Sequence, residues 1–218
     1  MSVEIAVLNA LGLIPAAVEN EIVAGIEDGV ALFRDHTEVA SVGISVHDSG
    51  LVAAETGFGG ISYGPQSFAL YVDPSSDALR LKTRFNAAAT AVHELDHCLR
   101  QRSCPLRPYN RMCAGDVLIL EGLAVHSEEF LGFGKPPAVQ GVSVDRVRPL
   151  IERIAPVVSD PKANWAWIYE KNGLKHGALY SMGYHIVSSY LSDMHSNPIV
   201  AMNVQWRDIW GAYASHMA

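Results

Sequence analysis

Two histidines and a glutamate, His93, Glu94 and His97, form an H-E-x-x-H pattern within a stretch whose apolar spacing predicts a helix. Residues four apart on an α-helix lie above one another on the same face, so both imidazoles would project in one direction. Two neutral imidazoles in that arrangement can bind one zinc ion, and Glu94 would stand beside it as a base for water. The motif therefore predicts a metal site whose meaning depends on a third ligand.

The candidate third ligand is Glu121, in a second predicted helix that covers about residues 112–130. Its helical neighbours are apolar, and a carboxylate in such surroundings needs a partner or a metal ion because burying an unpaired charge is costly. An ion pair with an Arg or Lys of a neighbouring helix is the alternative interpretation. Gly122, next in the chain, weakens the helix and so indicates close approach of another backbone.

The helix that carries the H-E-x-x-H pattern is predicted to cover about residues 79–101, with one apolar stripe against the core. The members of that stripe are Phe85, Ala88, Val92, Leu95 and Leu99. His93 and His97 fall beside the stripe, which would let them face a cleft. Asp96 and Arg100 are expected to form an exposed pair four residues apart.

The N-terminal third carries the predicted strands, at Val3 to Leu8, Val39 to Val46, and Ser67 to Val72. A Gly-rich run at 56–60 is expected to be a hairpin turn; the alternative is an edge strand to which a peptide could add. Further helices are predicted at about 15–36, 143–157, 160–171, 179–194 and 197–217. The fold class is therefore α+β: one domain, 1–218, with a sheet-containing part (1–78) and a helical part (79–218), the sheet being small and mixed or antiparallel.

The charge and the apolar runs of the sequence disfavour two classes of binding partner. A net charge of −7 disfavours a nucleic-acid partner, which would require a basic face. No apolar run approaches the roughly 20 residues that span a bilayer, so no membrane partner is expected. The oligomeric state is left open.

Three cysteines cannot all pair within one chain. An odd count, together with an N-terminus that makes a poor signal peptide, favours a reducing compartment and a cytoplasmic location. Cys98 is expected to be a buried thiol, and a bridge between Cys104 and Cys113 stays open because sequence does not show disulfide geometry.

These motifs resemble those of the gluzincin zinc peptidases, in which a second helix brings a glutamate as third ligand. More narrowly, the chain resembles a bacterial family of predicted zinc-dependent proteases, a domain of otherwise unknown function. The matching features are a Gly-rich segment with a strand, the H-E-x-x-H helix, an E-G-x-A helix and a late G-Y segment. They stand here at Gly57 to Val72, His93 to His97, Glu121 to Ala124, and Gly183-Tyr184.

The resemblance implies a mainly helical zincin-like domain with its active site between the H-E-x-x-H helix and the Glu121 helix. One Zn2+ ion would be bound by His93, His97 and Glu121, with Glu94 as general base and a peptide or protein as substrate. The strand Ser67 to Val72 is expected to receive the substrate backbone.

The resemblance also suggests where the oxyanion of the reaction could be stabilised. Tyr184 is the first candidate and His185 or His176 the next, although core packing of Tyr184 is an equal alternative. Several gluzincins have an aspartate four residues after the third ligand; this chain has Val125 there, and Glu128 could take its place.

Two rival interpretations of the motif remain. In one, zinc stabilises a regulatory or interaction module that has no peptidase activity. In the other, His93 and His97 are core or surface histidines of a binding domain without metal. Glu94 argues against the first rival, because a purely structural site has no use for an adjacent base. Glu121 argues against the second, because that domain leaves a carboxylate in an apolar helix unexplained.

Overall fold

A computed structural model describes residues 3–9, 12–50, 52–104, 111–163 and 176–216. The chain divides into two compact units, Met1–Arg102 and Ser103–Ala218. The first unit contains a small mixed sheet with helices, and the second is helical in its described part. The predicted α+β class, mainly helical with a small sheet in the N-terminal part, is confirmed. The expectation of a single domain stays a prediction.

The sheet of the first unit has four strands: β1 (Val3–Leu8), β2 (Val42–Asp48), β3 (Phe58–Gly64) and β4 (Ser67–Val72). Their order is β1-β2-β4-β3, with β1, β2 and β4 parallel and β3 antiparallel to β4. Parallel neighbours require a crossover, and the helix α1 (Ala16–Arg34) supplies it between β1 and β2. The strands predicted at Val3 to Leu8 and Ser67 to Val72 are confirmed.

The Gly-rich run continues into a strand rather than forming the expected hairpin turn. Gly59 and Gly60 lie inside β3, which forms an edge of the sheet as the alternative interpretation proposed. The hairpin itself falls at Pro65-Gln66, after a register shift between Ser62 and Gly64. Gly64 has φ 145, a conformation that residues with a side chain rarely adopt. The glycine that the turn requires therefore lies at the end of β3.

Residues 77–103 form two helices, α2 (Asp77–Leu81) and α3 (Thr83–Ser103), where one was expected. The break is at Lys82, whose φ of −147 and ψ of 41 are not helical. Phe85 lies in the first turn after this break and is 44% exposed, so its assignment to the core stripe is wrong. The rest of the stripe, from Ala88 to Leu99, is buried as predicted.

Two glycines of α1 allow it to pack closely against α3. A Cβ on Gly25 would stand 2.9 Å from Cβ of Ala87, and one on Gly29 would stand 2.7 Å from the carbonyl oxygen of Ala88. Real Cβ atoms essentially never approach that closely, so the two backbones meet because these positions carry no side chain. The crossing lies one to two turns before His93 and fixes the helix that carries it.

Asp96 and Arg100 are both fully buried, so the expectation of an exposed pair is wrong. Every residue from Glu94 to Arg100 is buried, which means that α3 is enclosed on all sides at this point. Charged residues on a helix usually face solvent, so the sequence favours exposure of Asp96 and Arg100. Hydrophobic periodicity does not show that charged side chains are buried.

The second unit contains the helices α4 (Ala114–Phe130), α5 (Val144–Ile154), α6 (His176–Asp193), α7 (Pro198–Ala201) and α8 (Trp206–Ser215). The helix predicted at about 197–217 is therefore wrong, because the chain turns between α7 and α8. The helix predicted at 160–171 lies largely outside the described residues. The helices predicted at about 112–130 and 179–194 are confirmed with small shifts in their ends.

Helices α4 and α6 cross at two glycines. A Cβ on Gly122 would stand 2.5 Å from the carbonyl carbon of Gly183 and 2.8 Å from Cγ2 of Val187. The close backbone approach expected at Gly122 is confirmed, and its partner is α6.

No helix in the described ranges is long and apolar enough to cross a membrane. Cys98, Cys104 and Cys113 are free and buried, so the disulfide left open for Cys104 and Cys113 does not form.

Candidate metal centre

The side chains of His93, Glu94 and His97 converge at one point on α3 of the first unit. Each offers one ligand atom, an imidazole nitrogen or a carboxylate oxygen, and these atoms all lie within 4.8 Å of one another. The two imidazole rings have centroids 4.7 Å apart and planes inclined by 77°. His97 and Glu94 are buried, while His93 is partly exposed. The spacing in sequence thus produces the predicted convergence.

Glu94 lies against the edge strand β3. A Cβ on Gly60 would stand 2.5 Å from Oε1 of Glu94 and 2.6 Å from its Cδ, which is closer than such atoms can approach. The carboxylate therefore occupies the space that a side chain at position 60 would take. Sequence reasoning missed this role of Gly60; a glycine inside a strand was the available signal, because it often marks close approach of another group.

Polar contacts attach the C-terminal half of α3 to the sheet. The thiol of Cys98 lies 3.6 Å from the carbonyl oxygen of Ser67, and Gln101 Nε2 donates to Ser62 Oγ at 3.2 Å. Burial raises the pKa of the Cys98 thiol to about 12, and the nearby Glu94 carboxylate adds to the shift. Cys98 is thus a neutral packing residue at neutral pH, as predicted.

A pair of tyrosines lies on the same hairpin as Gly60. The hydroxyls of Tyr63 and Tyr71 are 2.7 Å apart, one on β3 and the other on β4. The hydrogen bond with Tyr63, together with burial, raises the pKa of Tyr71 to about 12, and the Glu94 carboxylate contributes less. The contact ties the end of the edge strand to its neighbour.

Glu121 lies on α4 of the second unit and is 4% exposed. Its burial agrees with the apolar surroundings that were expected from the sequence. Glu128 is also buried on the same helix. The assignment of Glu121 as third ligand and of Glu128 as an orienting carboxylate stays a prediction.

Tyr184, the first candidate for stabilising an oxyanion, takes part in a polar cluster of the second unit. Its hydroxyl donates to Glu129 Oε2 at 2.8 Å, and its ring stacks on His126 with centroids 4.2 Å apart and planes inclined by 9°. The Nζ atom of Lys135 lies 4.9 Å from the Tyr184 ring centroid. The Tyr184 hydroxyl thus has an acceptor inside its own unit, which favours a packing role for this residue.

His126 contacts Tyr184 and its neighbours through both ring nitrogens. Its Nε2 lies 3.0 Å from the carbonyl oxygen of Tyr184 and 3.0 Å from Ser188 Oγ, while its Nδ1 lies 4.0 Å from Glu129 Oε2. Burial lowers the pKa of His126, and the Tyr184 carbonyl and Glu129 oppose that shift. Of the other oxyanion candidates, His185 has Nε2 3.3 Å from the carbonyl oxygen of Val142, and the side chain of His176 lies outside the described residues.

The donor atoms at the α3 site suit zinc. Imidazole nitrogens and a carboxylate oxygen are typical zinc ligands, and two histidines one helical turn apart can bind the same ion. The imidazole nitrogens of His93 and His97 are close enough to reach one ion, and a carboxylate oxygen of Glu94 lies within 4.8 Å of both.

The sheet-and-helix fold and the H-E-x-x-H group define an α+β protein with a candidate metal site on a helix packed against a mixed sheet. The chain belongs to the family described as predicted Zn-dependent protease (DUF2268), whose model matches residues 46–210. The match covers β3, α3 and α4, and with them Gly60, His93, Glu94, His97 and Glu121. The resemblance stated from the motifs is confirmed. No curated protein and no solved structure matches the chain.

Proposed function

We propose that this protein is a zinc-dependent peptidase that hydrolyses peptide bonds with Glu94 as general base. The observation that carries the proposal is the convergence of His93, Glu94 and His97 within 4.8 Å on one helix, in a chain of a predicted zinc protease family. A purely structural metal site has no use for a carboxylate beside the ligands, whereas hydrolysis requires a base at that place. The arrangement therefore favours catalysis over a zinc-stabilised interaction module.

The imidazoles of His93 and His97 and the carboxylate of Glu121 would hold one zinc ion. Zinc, when bound, acts as a Lewis acid that polarises the scissile carbonyl and makes water more acidic. A site with three protein ligands keeps a position open, as catalytic zinc sites do. Glu121 is buried, and a carboxylate oxygen is a common zinc ligand.

Glu94 would accept a proton from the attacking water and pass it to the leaving amine. Glu94 is 4% exposed, and its carboxylate lies close to His93 and His97 and against Gly60 of β3, which restricts its movement. Holding a base in the reacting geometry before the substrate arrives contributes to catalysis. General base catalysis of this kind typically contributes about 10²–10⁴-fold to the rate.

The substrate backbone would add to β3. The sequence-based expectation that Ser67 to Val72 receives the substrate does not agree with the sheet order, because β4 is hydrogen-bonded to β2 on one side and to β3 on the other. Among the described strands, β3 pairs only with β4, and a single bridge joins Phe58 at its start to Ala53. The outer edge beyond Phe58 can therefore pair with an extended peptide. Glu94 lies against this strand at Gly60.

The proposal is tested by loading wild type and Glu94→Gln with one zinc per chain and following cleavage of a denatured-protein or peptide library by mass spectrometry. We expect cleavage by wild type, loss with a zinc chelator, and a rate at least about 10²-fold lower for Glu94→Gln. Equal rates in the two proteins would remove Glu94 from the mechanism. A zinc-loaded wild type that cleaves nothing would instead support the interaction module.

A further inference from the structure

We propose that Gly60 is a positioning residue for Glu94: the edge strand lacks a side chain there so that the carboxylate can lie against its backbone. The inference rests on the proposed function, because it assigns Gly60 a part in holding the general base. The contact between the two residues does not require a bound metal ion.

The contact between Gly60 and Glu94 is so close that a side chain at position 60 requires the Glu94 side chain to move. A Cβ there would stand 2.5 Å from Oε1 and 2.6 Å from Cδ of Glu94, whereas ordinary contact begins at 3.4 Å. Gly60 pairs with Leu70 in the β3–β4 ladder, which holds the backbone of the strand in place. An added methyl group would therefore displace the Glu94 side chain rather than the strand.

Backbone conformation does not explain the glycine. The φ angle of Gly60 is not positive, so a residue with a side chain can adopt the same backbone conformation. A glycine in the interior of a strand weakens that strand, because it loses more conformational entropy on folding and contributes no packing. The space taken by the Glu94 side chain gives a reason for the glycine, because the three heavy atoms nearest to the added Cβ all belong to Glu94.

Gly43 in β2 provides a matched control. It is also a strand glycine of the same sheet, but a Cβ there would meet nothing closer than the carbonyl oxygen of Gln66 at 4.0 Å. Gly43→Ala therefore tests the cost of a methyl group in the sheet without the contact to Glu94.

The consequence for catalysis follows from the direction in which Glu94 must move. Gly60→Ala pushes the carboxylate away from β3, because the three atoms nearest to the new methyl group all belong to the Glu94 side chain. A displacement of about 1 Å from the reacting geometry can cost on the order of 10²-fold in rate. We expect kcat to fall at least about 10-fold, with KM and zinc content close to those of wild type.

The structural part of the proposal is tested first, on metal-free protein, with a double-mutant cycle in thermal stability. Gly60→Ala should lower the Tm of wild type but leave the Tm of Glu94→Ala unchanged or higher, because that variant has lost the atoms that clash. Gly43→Ala should have the same small effect in both backgrounds. Equal losses from Gly60→Ala in both backgrounds would overturn the proposal.

If Gly60→Ala does not fold in the wild-type background, the double variant with Glu94→Ala decides: folding there supports the contact, and failure there overturns it. A coupled cycle with unchanged kcat would show packing without positioning and would also overturn the inference. A zinc-loaded wild type without activity would refute the proposed function, and the positioning role with it, while the metal-free cycle would still report on the contact itself.

Discussion

The imidazole rings of His93 and His97 lie 4.7 Å apart between centroids, with planes inclined by 77°. Their backbones are one helical turn apart, and the ligand atoms of both, with that of Glu94, lie within 4.8 Å of one another. One nitrogen of each ring therefore lies close enough to the other for both to reach a single ion. This relationship is what makes α3 a candidate metal-binding helix.

Adding a single methyl group at Gly122, where α4 crosses α6, should lower the stability of the protein. Gly122→Ala places a Cβ 2.5 Å from the carbonyl carbon of Gly183, which is backbone and cannot rotate away. Overpacking of this kind costs about 1–3 kcal/mol, which we expect to see as a lower midpoint in urea unfolding.

Gly211→Ala is the control for Gly122→Ala and should have the opposite sign. Gly211 lies inside α8, is exposed, and has nothing within 4 Å of a Cβ placed on it. Replacing an exposed helical glycine by alanine stabilises by about 0.5–1 kcal/mol. Equal effects of the two substitutions would show that the close approach between Gly122 and Gly183 is not real.

Acid should destabilise the second unit through His126. Burial lowers the pKa of His126 below its ordinary value of 6.5, so the unfolded state binds the proton more readily than the folded state. The free energy of unfolding therefore decreases as the pH falls from 6.5 towards the lower pKa that His126 has in the folded protein. Above pH 6.5 this contribution to stability is fully present. We expect the Tm of His126→Gln to depend less steeply on pH between about 5 and 7 than that of wild type.

A comparison with His36→Gln, at an exposed histidine of the first unit, separates the loss of any imidazole from the loss of this buried one. Parallel curves for wild type and His126→Gln would mean that His126 is equally basic in the folded and unfolded states.

The cysteines should be inert in the native protein. All three are buried and free, and the pKa of Cys98 is raised to about 12 by burial, so the reactive thiolate is scarce at neutral pH. Ellman's reagent should find close to zero thiols per chain in buffer and three in strong denaturant. A shortfall of two thiols after denaturation without reductant would reveal a disulfide and contradict the structure.

Periodic apolar residues allowed several elements to be predicted from sequence. The side chains of β1 and β4 alternate between the two faces of the sheet, and α4 has a long apolar run. The predicted bounds of these three elements therefore lie close to the observed ones. The edge strand β3 was only the alternative interpretation of the Gly-rich run, because Gly59 and Gly60 resemble a turn. The close approach of Glu94 to Gly60 is a tertiary contact that the sequence does not show. The break at Lys82 carries neither Gly nor Pro, so no local signal marked it.

In the candidate site, too, relationships within one helix could be predicted from the sequence, whereas contacts between elements could not. His93, Glu94 and His97 could be predicted because their relationship lies within one helix and follows from its period. The burial of Asp96 and Arg100 could not, since it depends on what surrounds α3 rather than on α3 itself. The role proposed for Gly60 likewise required the strand and the helix to be placed together.

Glu121 distinguishes the proposed three-ligand site from a two-histidine site. Glu121→Ala should weaken zinc binding strongly, because it removes one of three protein ligands. Glu128→Ala, on the same helix, should weaken it less, since an orienting carboxylate typically contributes 10–100-fold to metal affinity. Competition with a coloured zinc chelator measures both. Wild-type affinity in Glu121→Ala would exclude this residue from the site and favour its pairing with a basic residue.

The most direct test of the central claim is the zinc content of purified protein, measured by mass spectrometry of the metal after dialysis. We predict one zinc ion per chain in wild type, the same in Glu94→Gln, and close to none in His97→Ala, because the base does not hold the metal and the histidine does. Absence of zinc from wild type supplied with the metal, or equal content in wild type and His97→Ala, would contradict the account.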